Sequence, residues 1–369
     1  MQQDNSRKIL LCSPSNIMNC GISRWTNHIL SYYNKTTKSI LLQHYYPKLK
    51  GVYNDTPFLK RVLIGLNGYI PFLLGLQKIL KTQKYDILHF ISSGSLALLR
   101  DLITIEIARK RRVKTIIHFR FGRIPEIYKS KNWEYRLIHK VITRVDHAIV
   151  IDESSYQVLI DEKYDNISLL PNPLSEKIQE IINTNSEIVR QSNKIVFVGH
   201  LVETKGVNEL ITACKSIKDI KLKMIGYVTD SVKIELLKLA GDNSSDWLEI
   251  TGELDYEIAV KEMLSASVFV LPTYTEGFPN VILESMACGC AIVTTPVGAI
   301  PEMLDIKSDT KFGLCVPPKN VEKLSEAISK MLDDRDFAIQ CGKNAKMRVN
   351  QLYSMSTIWK NLEVLWEKQ

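Results

Sequence analysis

Short apolar runs rich in β-branched residues alternate with longer amphipathic stretches along the whole chain of 369 residues. Short buried runs separated by helical patterns are typical of parallel sheets that helices cover on both faces. The predicted strands are Lys8–Cys12, Ser39–Gln43, Asp86–Phe90, Thr115–His118, His147–Ile151, Ser168–Leu170, Lys194–Val198, Lys221–Ile225, Leu248–Thr251, Val268–Leu271, Ala291–Thr294 and Leu314–Val316. The pattern therefore predicts an α/β chain of two Rossmann-like, doubly wound domains that face each other across a cleft.

The joint between the two domains is predicted near Pro171-Asn172-Pro173, because the proline pair ends the last strand of the first set. The polar stretch Glu176–Ser192 then suits a linker helix. The predicted parts are an N-terminal domain over 1–175, a C-terminal domain over 176–352 and a final helix over 353–369. We expect this amphipathic helix, with Trp359, Leu362 and Trp366 at helical spacing, to pack back toward the N-terminal domain.

Composition narrows the class of protein. A hydrophobic content of 45% excludes a disordered chain. The first ten residues lack the basic-then-apolar pattern of a signal peptide, so we expect no export. The apolar stretch Val62–Leu76 is interrupted by glycine, asparagine and proline, so it does not predict a membrane span. The seven cysteines are scattered without a CxxC pair and predict buried thiols in the cytosol.

Charge is distributed unevenly between the two halves. Residues 1–150 carry 25 Lys and Arg against 8 Asp and Glu, whereas the remainder carries 23 against 32. The basic half is expected to meet something anionic, either a membrane surface or a phosphorylated acceptor, unless it is simply a solvated basic face. Nucleic acid is not expected, because no recognised nucleic-acid motif accompanies the charge.

The segment Thr273–Gly289 carries the most informative chemistry. It follows a predicted strand, Pro279 is expected in the first turn of a short helix, and Gly289 is expected just past its end. The amides at such a helix N-terminus favour a phosphate. Glu276 and Glu284 cannot bind phosphate, so they suit sugar or ribose hydroxyls, unless Glu276 caps the helix and Glu284 is solvated.

A second segment, Phe197–Gly206, again leads from a strand through glycine to a Lys205-Gly206 pair at the start of a predicted helix, Val207–Ile217. A cation beside a helix N-terminus predicts an anion site. Alone this is weak, since a loop lysine is as often solvated.

Taken together, these motifs resemble the retaining glycosyltransferase family 4, the group 1 transferases of GT-B fold. Glu276 and Glu284 form its E-x7-E pattern, flanked by FVGHLVETKG upstream and by TPVGAIPEML at Thr295–Leu304. The resemblance is dense over about residues 195–305 and looser at Tyr85–His89, Val145–Ala148 and Pro171–Pro173.

The resemblance implies a role for each matching residue. Lys205 would contact the donor diphosphate, aided by amides near Pro279, Asn280 and Val281. Glu276 would hold hydroxyls of the donor sugar, with backbone groups from Gly277 and Phe278, and Glu284 would hold the ribose. The remaining implied residues are His118, which lies against the donor sugar as base or ligand, and Gly21, in the loop after the first strand.

Three departures from the family pattern concern the acceptor side and the leaving group. His200 stands where the family usually has arginine, so one charge on the diphosphate would be lost or would depend on pH. Phe119 follows the histidine where aspartate is frequent, and the first loop has a single glycine. Arg120 and Arg123 are candidates for the missing cation, through contacts with phosphate or with the acceptor.

The resemblance implies transfer from a nucleotide-sugar donor to a glycan or lipid-linked acceptor, with retention at the anomeric carbon, in assembly of O-antigen, capsule or exopolysaccharide. No metal and no cofactor are expected, because the one Asp-x-Asp spacing, Asp334–Asp336, lies between helices and suits capping.

Three other functions are alternatives to this one. A nucleotide-sugar epimerase of the same plan would need an N-domain carboxylate set for proton abstraction, and none is evident. A nicotinamide enzyme would need G-x-G-x-x-G after the first strand, where Ser13–Gly21 has one glycine. A non-catalytic sugar-binding protein would have little reason to keep the site residues.

The apolar segment Phe58–Leu80 has basic flanks, and residues 58–84 are therefore expected to form a helix that lies on an anionic membrane. The alternative is that Val62–Leu76 packs as core. On the first reading the protein is cytoplasmic and peripheral on the inner face of the plasma membrane.

Overall fold

The computed structural model describes residues 6–14, 21–36, 40–47 and 58–369, without the side chains of 58–67. The described chain divides into two compact units. One unit ends at Pro173 and also contains Ile358–Gln369, and the other is Leu174–Thr357. Each unit is an α/β structure around one parallel sheet.

The strands confirm the twelve that the apolar runs predict, with ends that differ by at most three residues. They are β1 Arg7–Cys12, β2 Ile40–Tyr45, β3 Ile87–Ser92, β4 Lys114–Phe119, β5 His147–Val150, β6 Ile167–Leu169, β7 Gln191–Val198, β8 Lys221–Ile225, β9 Leu248–Gly252, β10 Ala266–Leu271, β11 Ala291–Thr294 and β12 Leu314–Cys315.

Helices connect the strands and cover the sheets. In the described residues they are α1 Gly21–Lys35, α2 Phe58–Thr82, α3 Ala97–Arg109, α4 Ile124–Ser130, α5 Trp133–Ile142, α6 Glu153–Asp161, α7 Glu176–Thr184, α8 Val207–Lys215, α9 Asp230–Ala240, α10 Ser244–Trp247, α11 Tyr256–Ser265, α12 Asn280–Ala287, α13 Ile300–Met303, α14 Val321–Asp333, α15 Arg335–Leu352 and α16 Met355–Glu367. Asp334 caps α15 by accepting from the Phe337 N–H at 3.1 Å, which is the capping role expected of the Asp-x-Asp pair.

The first sheet has the strand order β2-β1-β3-β4-β5-β6, and all its pairings are parallel. Its central strands are buried on both faces, as β3 shows with six buried residues out of six. In α2, the side chains of Phe72, Leu76 and Leu80 belong to this core, whereas Ile70 and Leu74 are 61% and 62% exposed. The helix is therefore core on one side and solvent-facing on the other.

The second sheet has the order β12-β11-β10-β7-β8-β9, again parallel throughout. Read from β9, this is the order 3-2-1-4-5-6 of a Rossmann fold, in which the direction of winding reverses between the two central strands. Here those strands are β7 and β10, and the loops that follow them meet at the carboxyl end of the sheet.

The cysteines that the structure describes are free, and five of the six are buried. Burial raises the pKa of the Cys12 and Cys214 thiols, so both are neutral. Cys20 lies outside the described residues.

The final helix completes the first unit. Trp366 has no exposed surface, and its indole Nε1 donates to Nδ1 of His89, in the middle of β3, at 3.0 Å. Its carbonyl accepts from Arg7 at 2.8 Å, and Trp359 packs beside Tyr32 and Tyr33 of α1. The predicted amphipathic spacing thus corresponds to a buried aromatic edge of α16.

We predict that Trp366→Phe lowers the free energy of unfolding of the first unit by about 1–3 kcal/mol, because His89 Nδ1 would stay buried without its donor. The matched control is Trp133→Phe, whose side chain is 52% exposed and which should change stability by less than about 0.5 kcal/mol. Urea denaturation of both variants measures the difference. Equal stability of the two variants would contradict the role given to this hydrogen bond.

Candidate functional site

Three loops come together at the carboxyl ends of β7, β10 and β11, the end at which doubly wound sheets bind ligands. The loop after β7 leads through a short 3-10 turn, Glu203–Lys205, to Gly206. Gly206 has a φ of 68°, and a Cβ there would lie 2.1 Å from the carbonyl oxygen of Pro272, just after β10. Only glycine lets these two backbones approach so closely.

The first two loops are also joined by hydrogen bonds. The Tyr274 N–H donates to the Thr204 carbonyl at 2.8 Å, and the Thr273 hydroxyl donates to the same oxygen at 3.2 Å. The backbone that carries Lys205 is therefore fixed against the backbone that leads to Glu276.

Lys205 and Glu276 form an ion pair across these loops, with Lys205 Nζ donating to Glu276 Oε1. Their side chains are 26% and 13% exposed, so both are partly withdrawn from water but still reachable. The two residues lie 71 positions apart in the chain, and the structure brings them into direct contact. The sequence assigns both to one site and does not anticipate that they pair.

The third loop holds the Glu276 segment in place. Gly298, after β11, has a φ of 56°, and a Cβ there would lie 2.3 Å from the Glu276 carbonyl oxygen. The next residue, Ala299, donates its N–H to the Gly277 carbonyl at 2.9 Å. Gly298 is a site residue that sequence reasoning missed, although the segment TPVGAIPEML that contains it is part of the resemblance.

The helix α12 begins directly after the Glu276 segment and has eight residues. Asn280 and Val281 form its first turn, at the positive end of the helix dipole. Pro279 is the residue before the helix and not part of its first turn as expected, because its ψ of 108° is extended. Gly289 does follow the helix end in the left-handed region, with a φ of 67°. Phe278 is buried with its ring 5.9 Å from that of Tyr353.

Glu284 lies in the second turn of α12 and accepts a hydrogen bond from the Tyr256 hydroxyl at 3.3 Å. Tyr256 begins α11, so a second helix orients this carboxylate. No motif pointed to Tyr256. His200, in the loop after β7, is exposed, and its ring centre lies 6.0 Å from that of Tyr227.

His118 belongs to the first unit, near the end of β4, and has no exposed surface. Its ring packs edge-on against Trp25, and Arg120 lies over the same indole with Nη1 3.5 Å from His118 Nε2. Burial, together with the charge of Arg120 and the neighbouring His89, lowers the pKa of His118 well below its ordinary value. The imidazole is therefore neutral, and Trp25, His89 and Arg120 all lie against it.

Arg123 is held by a carboxylate of its own unit. Its two terminal nitrogens donate to the two oxygens of Glu134 at 2.8 and 2.7 Å, and Nη2 also donates to Ser95. Glu134 is 5% exposed, and its carboxylate orients the Arg123 guanidinium and offsets its charge. Gly21 is the first residue of α1 and is exposed, and the residues just before it lie outside the described part.

Among the residues that the structure describes, no three His, Cys, Asp or Glu side chains are grouped as metal ligands. Within the same residues, no helix has the length and apolar content that crossing a bilayer requires.

The second unit matches a known family. Residues 178–348 fit the model of "Glycosyl transferases group 1". Over this range the chain is similar to the group 1 glycosyl transferases. A capsular polysaccharide biosynthesis glycosyltransferase of Staphylococcus aureus is 28% identical over 248 residues, which is 64% of this chain and 60% of that relative. The chain thus spans about three-fifths of the length of this relative.

Solved structures show that the chain has the GT-B fold, as the resemblance implied. Sucrose-phosphate synthase of Thermosynechococcus elongatus has a TM-score of 0.73 at 17% identity, with 98% of each chain covered. The Anabaena protein HepE, solved in complex with UDP, has a TM-score of 0.71 at 13% identity, with 98% of this chain and 100% of that chain covered.

We predict that Gly298→Ala displaces the Glu276 loop, because the added Cβ would overlap the Glu276 and Gly277 carbonyls. The matched control is Gly252→Ala, which has a φ of 78° but nothing within 4 Å of the new Cβ. Both variants should lose about 1 kcal/mol of stability, because alanine is strained at a positive φ. Only Gly298→Ala should weaken ligand binding in addition. Ligand binding and thermal unfolding, measured on both variants, separate the two effects. Equal ligand binding by the two variants would contradict the role given to the contact between Gly298 and the Glu276 carbonyl.

Proposed function

We propose that this protein is a retaining, metal-independent glycosyltransferase that moves a sugar from a nucleotide-diphosphate sugar to a glycan or lipid-linked acceptor. The observation that carries the proposal is the Lys205–Glu276 pair beside the N-terminus of α12, at the switch point of the second sheet. A donor panel, monitored for release of nucleoside diphosphate with membrane lipid extract as acceptor, tests it.

The leaving group of such a reaction is a nucleoside diphosphate, on which negative charge develops as the glycosidic bond breaks. Lys205 and the amides of Asn280 and Val281 are the groups that would stabilise this charge. The Lys205 ammonium is already oriented by Glu276, so it is positioned before the donor arrives. Binding to HepE of UDP, a nucleoside diphosphate, supports this choice of leaving group.

Hydroxyl groups of the donor would meet the two glutamates. Glu276, fixed by the Gly298 contact, suits the hydroxyls of the sugar, because a carboxylate accepts strong hydrogen bonds from them. Glu284, oriented by Tyr256, suits the ribose. Neither carboxylate is required as a covalent nucleophile, since a front-face route through an oxocarbenium-like state is the expectation for retention in this family.

His118 suits a hydrogen bond to a sugar hydroxyl better than proton abstraction. Its pKa is lowered by burial and by the charge of Arg120, and a general base works best when its pKa lies near the working pH. We therefore assign His118 to sugar binding, with Arg120 beside its Nε2 in this structure.

Surface polysaccharide assembly is the process that fits best, through O-antigen, capsule or exopolysaccharide. The Staphylococcus aureus relative takes its name from capsule biosynthesis. Acceptors of this chemistry are often carried on lipids, and the excess of basic residues in 1–150 is consistent with work at the inner face of an anionic membrane.

We predict that Glu276→Ala lowers kcat by about 100-fold or more with the fold intact, because sugar contacts would be lost in the transition state. Glu284→Ala should instead raise the KM for the donor about tenfold. The exposed Glu235→Ala is the control for surface charge. Turnover and KM of the three variants measure this, and wild-type values in both site variants would refute the assignment.

We predict that transfer continues in excess EDTA, because Lys205 and the α12 amides would supply the positive field that a metal supplies elsewhere. The measurement is the initial rate with EDTA, with and without added Mg²⁺ or Mn²⁺. A complete loss that only the metal restores would show that the diphosphate is stabilised in another way.

A further inference from the structure

Two neighbouring helices of the first unit carry pairs of exposed apolar side chains. Ile70 and Leu74 of α2 are 61% and 62% exposed, and Leu99 and Ile103 of α3 are 45% and 49% exposed. Within each helix the two residues are four positions apart, so they lie on one side of it. The solvent side of each helix is therefore partly apolar.

The helices α2 and α3 are held together by a buried cation. They pack on the same sheet and on each other, and the Arg100 guanidinium of α3 lies over the rings of Tyr69 and Phe72 of α2, at 5.3 and 5.4 Å. Arg100 is also paired with the fully buried Asp101 at 2.6 Å. The apolar pairs therefore belong to two helices in a fixed packing.

Basic residues follow these apolar pairs along both helices. Each helix leads back from the carboxyl end of one parallel strand to the start of the next, so both end at the amino edge of the sheet. The exposed cations near and after their ends include Lys78, Lys81, Lys84, Lys110, Arg111 and Arg112, and Arg109 is exposed but paired with Glu106. Between residues 58 and 114 the sequence has 11 Lys and Arg against 3 Asp and Glu.

The same edge contains an open cavity of about 730 Å³. Its lining includes the basic side chains of Arg7, Lys8, Lys84, Arg112 and Lys114. The nearby carboxylates already have partners, since Asp86 accepts from the Lys8 N–H at 2.7 Å and Asp146 pairs with Lys114 at 3.2 Å. This leaves the edge with a positive field.

Exposed apolar residues alone do not identify a docking surface. Ile234 and Met347 of the second unit are 67% and 63% exposed, yet residues 151–369 carry more acidic than basic residues. The apolar side chains of α2 and α3 differ from these single residues because they form a pair on each of two packed helices, with a dense basic edge beyond both pairs. A surface that is apolar on its face and basic at its border lies on an anionic bilayer, with apolar groups in the acyl boundary and cations on the phosphates.

We propose that the first unit docks on an anionic phospholipid bilayer through the α2–α3 face, defined by Ile70, Leu74, Leu99 and Ile103 together with the basic edge at Lys78, Lys81, Lys84 and Lys110–Arg112. The inference extends the membrane contact expected of residues 58–84 to a second helix and to the amino edge of the sheet. It rests on that part of the proposed function that brings the protein to a membrane.

Flotation with vesicles tests docking without any sugar donor. The full chain should float at low salt with vesicles that contain phosphatidylglycerol, and should not float with vesicles of phosphatidylcholine alone. High salt should release most of the bound protein, because the cations would be screened. Failure of the wild-type chain to bind the anionic vesicles at low salt would overturn the proposal.

Matched variants locate the contact. The triple variant Lys84→Gln, Arg111→Gln and Arg112→Gln should lower the partition coefficient about 100-fold, given about 1 kcal/mol per cation. The control removes three exposed lysines of the second unit, Lys238→Gln, Lys307→Gln and Lys343→Gln, and should bind like the wild type. Equal losses in the two triple variants would show that net charge is responsible, and would overturn the assignment to this face.

The apolar contribution has its own pair of variants. The double variant Leu74→Ser and Ile103→Ser should weaken vesicle binding several-fold and make the remaining binding fully salt-sensitive. The double variant Ile234→Ser and Met347→Ser should have no effect.

Isothermal titration with inorganic pyrophosphate tests whether the basic edge binds a free anion instead. The membrane proposal would be contradicted if the wild-type chain binds pyrophosphate but not vesicles, and the charge variant loses that binding. Release of nucleoside diphosphate with a detergent-dispersed acceptor should be the same in these variants as in the wild type. A failure of membrane docking can therefore be distinguished from a failure of the transferase assignment.

Discussion

The candidate site depends on backbone contact between three loops that strands far apart in the chain deliver to one edge of a sheet. Gly206 lies against the Pro272 carbonyl, and Gly298 lies against the Glu276 carbonyl. Because no side chain separates these backbones, the positions of Lys205 and Glu276 follow from the register of β7, β10 and β11 and not from flexible loops. The ion pair is a consequence of this packing.

Much of this arrangement could be predicted from sequence because it depends on local patterns. Alternation of apolar runs and amphipathic stretches defines strands and helices, and parallel connections put the loops after β7 and β10 at one edge. The glycine that ends α12 was equally predictable, because a left-handed residue is a local requirement. Pro279 was misplaced by one position, since a proline fits both the first turn and the residue before it.

Side-chain partners between distant elements were not predictable. Glu134 accepts hydrogen bonds from both terminal nitrogens of Arg123, and Tyr256 donates to Glu284. Neither pair leaves a periodic signal in the sequence. The burial of His118 likewise depends on how Trp25 and Arg120 pack over β4. The sequence around a histidine at a strand end does not show whether its side chain is exposed to solvent or buried.

The return of the chain to the first unit has a consequence for biosynthesis. Trp366, which fills the core beside His89, is translated after the whole of Leu174–Thr357. The second unit is contiguous and can fold as it leaves the ribosome, since domains generally fold as units during synthesis. The first unit, although its strands emerge earlier, lacks the Trp366 contact on His89 until α16 appears. We therefore expect the older half of the nascent chain to be the one that holdase chaperones protect.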